Sequence, residues 1–191
     1  MKITLATQNV HKINEIKKLL PSYWQVLTLD ELGFSKELLE SGKTLESNAI
    51  QKANYVFEKT GMPVLSDDSG LEVEALLGAP GVYSARFAGK TRSDAANRLK
   101  LLNDMKVKKN RRARFCTVLA FRNKEGLKIF NGSVDGNIST VELGENGFGY
   151  DAIFKPLEGN GLTFSQMMNH EKQLLSHRSK AIRKWLNWIL D

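Results

Sequence analysis

Two consecutive aspartates, Asp67 and Asp68, are the residues of this sequence best suited to chemistry. They follow a short apolar run at residues 63–65, which predicts a strand, and they precede residues 69–70, a Ser-Gly pair that favours a sharp turn. Carboxylates at a strand end can be held rigidly enough to bind a metal ion or to accept a proton from water. An isolated Asp-Asp-Ser-Gly is more often a solvated turn, so the rest of the sequence has to decide between the two readings.

A tight bend built on Gly78, Pro80 and Gly81 follows soon after the aspartates. Ser84 and Arg86 follow this bend and lie close in sequence to the two carboxylates, where they add a hydroxyl group and a cation. This combination favours a functional site over a solvated turn.

The N-terminal segment predicts a phosphate-binding junction between a strand and a helix. Residues 2–6 alternate as in a strand, and apolar residues then recur at the helical spacings of three and four. Asn9 is the expected N-cap of that helix, which leaves residues 7–12 at the junction. Free backbone N–H groups and the positive end of a helix attract phosphate, and Lys12 supplies a mobile charge.

Three further segments carry polar or aromatic groups. Glu40 lies in a loop just before a second helical pattern, where its carboxylate could face the aspartates. The glycine-rich loop at residues 144–151 presents Phe148, and an aromatic ring can stack on a nucleobase. Near the C terminus, Lys172 and Arg178 bring cationic donors to the start of the last predicted helix.

The elements that must position these residues follow a mixed α/β pattern. An alternation of strands and helices opens the chain, an antiparallel block follows, and an amphipathic helix closes it. No repeat, low-complexity tract or linker interrupts the chain, so we expect a single domain over residues 1–191. The expected strands are residues 2–6, 24–29, 64–66, 112–122, 127–134 and 137–142, with a turn at 123–126, and a further helix is expected around 95–102.

The composition is that of a soluble globular protein, with 41% hydrophobic and 26% charged residues. No run approaches the roughly 20 apolar residues of a membrane span, and the first residues lead into a strand instead of a signal peptide. The single cysteine, Cys116, lies in an apolar strand pattern, so we expect a small buried thiol and no disulfide. These features favour a reduced, cytoplasmic protein without membrane contact.

The net charge of +7 is concentrated in one segment, residues 106–114, which holds six cations. Such a cluster is compatible with binding DNA or RNA through phosphate contacts. It lies, however, between a predicted helix and the outward face of a strand, and no aromatic residues interrupt it. We therefore expect a solvated loop with at most weak affinity for polyanions, and no dedicated nucleic-acid binding.

In their order and spacing, these segments resemble the Ham1/inosine triphosphate pyrophosphatase family. The resemblance runs along the whole chain, and the segments SDDSGL, GAPGVYSARFAG, GFGYD and SHR are highly specific in combination. It implies hydrolysis of the non-standard purine nucleotides ITP, dITP and XTP to the monophosphate and pyrophosphate. It also implies an elongated mixed β-sheet with flanking helices that form two lobes around a central active-site cleft, and a homodimer.

The resemblance also implies roles for individual residues. Asp68 is expected to act as the catalytic base and, with Glu40, to bind Mg²⁺, while Asp67 orients this pair or tunes its pKa values. Mg²⁺ suits the task because it accepts carboxylate, phosphate and water oxygens; the scattered histidines lack the spacing of a zinc site. The expected substrate-binding residues are Thr7, Gln8, Asn9, Val10, His11, Lys12, Ser69, Phe148, Gly149, Tyr150, Asp151, Lys172, His177 and Arg178.

Two other functions compete with this interpretation. A nucleotide pyrophosphatase of the Maf type would share the reaction but use different substrates, and the GFGYD and SHR segments argue against it. A nonenzymatic nucleic-acid-binding protein would instead use the cations of residues 106–114. Release of pyrophosphate from ITP in the presence of magnesium separates these possibilities.

Overall fold

The secondary structure of the computed structural model, which describes all 191 residues, follows the predicted order of elements. None of the helices combines the length and the apolar character that a membrane span requires. The helices are α1 (Val10–Lys17), α2 (Leu45–Thr60), α3 (Asp94–Asp104), α4 (Asn169–Leu175) and α5 (His177–Leu190), and short 3₁₀ helices lie at Glu74–Leu76, Ser84–Arg86 and Phe164–Gln166. The strands are β1 (Lys2–Leu5), β2 (Gln25–Leu27), β3 (Val64–Val73), β4 (Pro80–Gly81), β5 (Arg112–Asn123), β6 (Gly126–Ile138) and β7 (Phe154–Pro156).

The seven strands form one mixed sheet in the order β2-β1-β3-β5-β6-β7, with β4 paired to β3 off this path. Strand β1 runs parallel to both β2 and β3, because α1 and α2 provide the crossovers that parallel pairing requires. Strand β4 is antiparallel to β3, and β7 is antiparallel to β6. The predicted mixed α/β fold is therefore confirmed.

The chain divides into two compact units, each with its own apolar core. Unit 1 comprises Met1–Asp68, Thr117–Gly132 and Ala181–Asp191, and unit 2 comprises Ser69–Cys116 and Ser133–Lys180. In unit 1, helix α5 packs Trp185 against Trp24 and Phe121, while α2 packs its alanines beside Val64. In unit 2, Phe115, Phe154 and Phe164 form the centre of the core. The central cleft stays a prediction.

Strand β3 is longer than predicted, and this changes the setting of the two aspartates. We expected a strand at 64–66 followed by a turn, but the extended backbone continues to Val73. Leu65 pairs with β1 and Leu71 pairs with β4, so partners on both sides keep the Ser-Gly pair extended in spite of its turn propensity. The two carboxylates thus lie within a buried strand, which holds them more rigidly than a turn would.

The structure also differs from the prediction at one strand and contains one additional helix. The separate strand expected at 137–142 is absent, because β6 continues to Ile138 and the Ser139 hydroxyl then bonds to the Val141 carbonyl in an irregular segment. The final predicted helix is confirmed as α5, but the short helix α4 that precedes it was not predicted, and the extended backbone of Ser176 separates the two. The Ser176 hydroxyl accepts a hydrogen bond from the backbone N–H of Ser179, and this cap begins α5 independently of α4.

Candidate active site

Helix α2 places two polar side chains on the face that it buries. Its buried positions follow the spacing of an amphipathic helix, so the polar pair lies in line with the small apolar residues of the same stripe. Thr44 begins the helix as an N-cap and Gly61 ends it in the left-handed conformation. The buried residues are Asn48, Ala49, Lys52, Ala53 and Val56.

Lys52 connects three acidic residues of unit 1. Its Nζ lies 2.7 Å from Glu40 Oε1, 2.8 Å from the carbonyl oxygen of Asp67 and 3.5 Å from Asp68 Oδ1. Burial alone lowers the pKa of Lys52, but the negative charges of these residues outweigh burial and raise it above its usual value. The lysine is therefore a buried permanent cation.

Asn48 holds the carboxylate of Asp68 from the other side. Its Nδ2 donates to Asp68 Oδ2 at 3.1 Å, and its Oδ1 accepts from the backbone N–H of Gly42 at 2.8 Å. One side chain thus ties the loop that carries Glu40 to strand β3. Burial, and then the charge of Glu40, raise the pKa of Asp68 above its usual value, although two lysines and Asn48 oppose the shift.

Asp67 is fully buried and forms an ion pair with Lys12 at the start of α1. Successive side chains of a strand point to opposite faces, so Asp67 and Asp68 take different lysines as their main partners. Asn9 caps α1 by accepting a hydrogen bond from the backbone N–H of Lys12 at 3.1 Å, as predicted. We call the set Lys12, Glu40, Asn48, Lys52, Asp67 and Asp68 the carboxylate–lysine network.

The other predicted residues of the first junction have different surroundings. Thr7 is buried and accepts a hydrogen bond from the backbone N–H of Asn9. Gln8 donates to the carbonyl oxygen of Phe34 at 3.3 Å. Val10 and His11 are exposed in the first turn of α1, so their side chains lie on the surface of unit 1 while Lys12 reaches the buried acids.

The donor set of the carboxylate–lysine network fits magnesium better than zinc. The structure contains no group of three or more His, Cys, Asp or Glu side chains arranged to hold a metal ion. Glu40 and Asp68, however, both reach Lys52 Nζ, so two hard oxygen donors converge there. Protein Mg²⁺ sites commonly use one or two carboxylates together with water and phosphate oxygens, whereas zinc sites need more nitrogen or sulfur ligands.

In unit 2, the loop at residues 144–151 is shaped by close contact with Asp151. One carboxylate oxygen of Asp151 accepts from the backbone N–H of Phe148 at 2.9 Å and from Lys172 Nζ at 2.6 Å. Gly147 has a positive φ of 81°, and a Cβ at this position would overlap the Asp151 carboxylate. Glycine is therefore required for the turn that carries Phe148.

Two buried cations lie beside the half-buried Phe148 ring. Lys172 Nζ is 4.9 Å from the ring centroid and Arg178 Cζ is 5.8 Å from it, both within the range of cation–π attraction. Arg178 also donates from Nη2 to the hydroxyl of Ser69 at 3.1 Å. We call the set Ser69, Phe148, Asp151, Lys172 and Arg178 the aromatic–cation cluster.

Two predicted substrate-binding side chains are engaged inside unit 2. His177 is buried and stacks on Phe115, with ring centroids 4.6 Å apart and an interplanar angle of 8°. Tyr150 is buried and donates from its hydroxyl to the carbonyl oxygen of Ser84 at 2.8 Å. Burial raises the pKa of Tyr150, so this hydroxyl remains a neutral donor. The side chain of His177 therefore packs against strand β5, and that of Tyr150 binds the 3₁₀ helix at Ser84–Arg86.

The sequence analysis missed Asn48 and Lys52, although a signal for both was present. The helical pattern assigned to α2 already placed its alanines on the buried face, and positions 48 and 52 lie directly beside them at a spacing of four. A lysine on a buried helical stripe is almost always paired, because an isolated buried charge is very costly. This signal predicts an acidic partner for Lys52 but does not identify it.

The basic segment at 106–114 is partly used inside the fold. Arg111 donates to the carbonyl oxygens of Ile138, Met105 and Ser139, at 2.5, 3.1 and 2.6 Å. Arg114 forms an ion pair with Asp135 at 2.7 Å. The prediction of a solvated loop therefore holds for the lysines of this segment, which are exposed. It does not hold for Arg111, whose side chain links the ends of neighbouring elements.

Cys116 is half-buried, in contrast to the buried position that we expected. Its Sγ lies 3.7 Å from Glu72 Oε2, and burial followed by this carboxylate raises the pKa of the thiol to about 12. The residue is a free thiol. Its high pKa makes it a poor nucleophile at neutral pH.

Comparison with known proteins finds relatives over the full length of the chain. The sequence model of the Ham1 family matches residues 3–188. A dITP/XTP pyrophosphatase from Flavobacterium psychrophilum is 44% identical over 189 residues, which cover 99% of both chains. A dITP/XTP pyrophosphatase from Thermus thermophilus is 45% identical over 195 residues, covering 100% of this chain and 93% of the relative.

Solved structures show the same fold. The Ham1 protein of Staphylococcus aureus superposes with a TM-score of 0.89 at 39% identity, covering 99% of this chain and 98% of that one. A HAM1 protein from Coxiella burnetii gives a TM-score of 0.90 at 35% identity, covering 100% and 98%. Near-complete coverage of both chains in each pair means that the strands and helices described above are common to these proteins.

Proposed function

Because this chain belongs to the Ham1 family, we propose that it hydrolyses dITP, XTP and ITP to the nucleoside monophosphate and pyrophosphate. Proteins named dITP/XTP pyrophosphatase that are 44% and 42% identical to it support this substrate class. In the reaction, the oxygen of a water molecule forms a bond to the α-phosphorus, and this water loses a proton. The bond between the α-phosphorus and the oxygen that bridges to the β-phosphate breaks, so pyrophosphate leaves. Removal of these nucleotides would cleanse the nucleotide pool.

The observation that carries the proposal is the environment of Asp68. This carboxylate is buried within a strand, held by Asn48 and Lys52, and has a pKa above the usual value. A raised pKa makes a carboxylate a stronger base toward the attacking water. We assign Asp68 as the group that accepts the proton of the attacking water.

We further propose that Glu40 and Asp68 hold Mg²⁺, as the resemblance implies. Glu40, Asp67 and Asp68 face Lys12 and Lys52, which leaves one formal negative charge in excess among these groups. Such an excess is offset by a divalent cation, and Glu40 also contributes to the raised pKa of Asp68. When bound, the metal supplies positive charge to the phosphate oxygens.

The lysines of the carboxylate–lysine network have separate tasks in this proposal. Lys12, together with the neutral donors of Thr7 and Asn9, binds phosphate at the start of α1, where helix N–H groups favour anions. Gln8, Val10 and His11 belong to the same substrate-binding segment through their backbone. Lys52 keeps Glu40 and Asp68 in place and limits the increase in the pKa of Asp68.

We assign recognition of the nucleotide to the aromatic–cation cluster. Phe148 would stack on the purine, because aromatic stacking accepts any base. Lys172 and Arg178 would supply donors to phosphate or to the 6-oxo group, and Ser69 a neutral hydrogen bond. Gly149, Tyr150, Asp151 and His177 complete the proposed binding residues, with Asp151 and His177 near the base.

The remaining parts of the proposal concern assembly and location. We propose that the chain acts as one catalytic domain, forms a homodimer and works in the cytoplasm, as the resemblance implies. Light scattering coupled to size-exclusion chromatography tests the homodimer, because a single species of the 21.5 kDa monomer mass contradicts it. Nucleic-acid binding remains the alternative for the lysines of residues 106–114.

The decisive experiment measures pyrophosphate release from ITP, dITP, XTP, ATP, GTP and a pyrimidine triphosphate, with Mg²⁺ and with a chelator. The proposal expects rapid release from the first three in the presence of the metal. Equal use of ITP and ATP would contradict the substrate assignment, and preference for the pyrimidine would favour the Maf-type alternative. Tight binding to DNA or RNA without pyrophosphate release would favour the nonenzymatic function.

A further inference from the structure

Helix α3 holds one residue, Gly149, of the loop that carries Phe148. Asp94 Oδ2 accepts a hydrogen bond from the backbone N–H of Gly149 at 2.7 Å, and Arg98 Nη1 donates to the carbonyl oxygen of Gly149 at 2.9 Å. Arg98 Nε also forms an ion pair at 2.9 Å with Glu142, which precedes the same loop. Both polar atoms of a single residue are therefore held by two charged side chains that lie one helical turn apart.

We propose that Asp94 and Arg98 are positioning residues that hold Phe148 ready to receive the purine of the substrate. The proposal rests on the proposed function, because Phe148 is the residue assigned to stacking. In this proposal, neither Asp94 nor Arg98 contacts the substrate directly. We call the pair the α3 clamp.

The loop needs such a clamp because of its glycines. Gly147 and Gly149, on either side of Phe148, both have positive φ, and glycine loses more conformational freedom on ordering than any other residue. Asp151 holds the backbone N–H of Phe148, and the α3 clamp holds the next residue along the chain. Together they fix the backbone on both sides of the aromatic ring.

Helix α3 is a suitable rigid base for this purpose. Ser93 caps its N terminus, and Leu101 lies in the core of unit 2. The buried Asn97 accepts a hydrogen bond from the backbone N–H of Ala88 at 2.7 Å and donates to the carbonyl oxygen of Ala85 at 3.1 Å. Asp94 stands in the first turn, where a negative charge is favoured by the helix dipole.

A stacking platform that is already ordered avoids the entropic cost of ordering it during binding. Without the α3 clamp, that cost reappears for every purine nucleotide, while the carboxylate–lysine network keeps its own contacts. We therefore expect Asp94→Ala and Arg98→Ala to raise KM for ITP by about three- to tenfold and to change kcat by less than about twofold. The ratio of kcat/KM for ITP and ATP should remain near that of the wild type.

The test compares Asp94→Ala, Arg98→Ala and the conservative Asp94→Asn with Leu99→Ala, a substitution at an exposed position of the same helix. Asparagine retains an acceptor and should recover part of the loss, whereas the Leu99 variant should behave as the wild type. The same substitutions are also made in a Phe148→Ala background. There the α3 clamp has no ring to position, so KM should not rise further.

Amide hydrogen exchange of residues 144–151 provides a readout without turnover. The α3 clamp predicts faster exchange in Asp94→Ala and Arg98→Ala and unchanged exchange in Leu99→Ala. Unchanged exchange in the clamp variants, or an equal rise in KM with and without Phe148, would overturn the proposal. If the wild type fails to hydrolyse ITP, the proposed function fails, whereas the exchange measurement still decides whether the α3 clamp orders the loop.

Discussion

The carboxylate–lysine network of unit 1 and the aromatic–cation cluster of unit 2 are opposite in charge and in composition. In the first, Glu40, Asp67 and Asp68 outnumber Lys12 and Lys52. In the second, Lys172 and Arg178 outnumber Asp151 and surround an aromatic ring. Excess negative charge attracts a metal ion and supports a base, whereas buried cations beside an aromatic face suit an electron-rich ligand.

The two regions also differ in how the fold holds them. The carboxylates of unit 1 are held in a strand and by helix α2, so regular secondary structure fixes their positions. Phe148 lies in an irregular loop and depends on individual hydrogen bonds. Substitutions in unit 1 should therefore alter chemistry and pH dependence, and substitutions in unit 2 should alter affinity and selectivity. Each of the following experiments tests that division.

The largest expected effect comes from Asp68→Asn. It removes a negative charge and a proton acceptor but retains the shape of the side chain, so kcat for ITP should fall by about 10³-fold or more while the protein remains folded. The matched control is Glu72→Gln, at an exposed carboxylate on the same strand, which should keep wild-type activity. Activity of Asp68→Asn within a few-fold of the wild type would contradict the assignment of the base.

Lys52→Met tests the electrostatic part of the network. The positive charge of Lys52 opposes the upward shift in the pKa of Asp68, so its removal should raise that pKa further. The acid limb of the pH profile of kcat/KM should move to higher pH, with a loss of about tenfold or more at neutral pH. Lys52→Arg retains the charge and serves as the control. If the acid limb does not move, Lys52 does not influence the pKa of the catalytic base.

The same variant should change stability in a pH-dependent way. In the folded protein, the pKa of Asp68 is higher than in the unfolded chain. The protonation of Asp68 therefore stabilises the fold fully at a pH below the unfolded pKa, and this stabilisation is lost as the pH rises through the folded pKa. Breaking the buried pairs should lower the free energy of unfolding by about 3–5 kcal/mol at neutral pH. Denaturant unfolding at acidic and neutral pH should therefore show a smaller loss at acidic pH.

Arg178→Ala and Phe148→Ala separate selectivity from affinity in unit 2. If Arg178 donates to the 6-oxo group, its loss should narrow the ratio of kcat/KM for ITP and ATP by about tenfold, since an unmatched buried donor costs about 1–3 kcal/mol. Phe148→Ala should raise KM for ITP by about tenfold without creating ATPase activity, because stacking favours every purine. If Phe148→Ala instead narrowed the ratio of kcat/KM for ITP and ATP, and Arg178→Ala only raised KM, the assignment of selectivity to Arg178 and of stacking to Phe148 would be contradicted.

The smallest effect is expected in the basic segment. Lys106, Lys108 and Lys109 are exposed, so their joint replacement by Gln should leave ITP hydrolysis within about twofold and reduce any salt-sensitive binding to DNA. Arg111→Gln is the contrasting variant, because Arg111 donates to three carbonyl oxygens of the fold and its loss should lower Tm. Loss of more than about tenfold in kcat/KM for the lysine variant would place that loop at the substrate.

Much of the fold was predictable because local patterns specify local elements. Apolar spacing located α1, α2 and α3, and alternation located β5 and most of β6. Asn9 as the cap of α1 followed from residue type alone. The extent of β3 was not predictable, because its Ser-Gly pair favours a turn and only pairing with β1 and β4 keeps it extended.

The candidate site was predictable only in part. The sequence indicated Lys12, Glu40 and Asp68, and the structure brings these side chains into one network. Asn48 and Lys52 were missed, because helical spacing shows that they are buried but not what they contact. The roles of Asp94 and Arg98 were equally hidden, since both contact a loop more than fifty residues away.

The sequence by itself determined family membership, the order of strands and helices, and the residue types available for chemistry. These properties depend on local spacing and on specific motifs, which are written directly in the chain. The tertiary structure alone decided which polar side chains meet: Lys52 with Glu40 across 12 residues, Lys172 with Asp151 across 21, and Arg178 with Ser69 across 109. Such pairings depend on how distant segments pack, and burial then sets the pKa values on which the proposed chemistry relies.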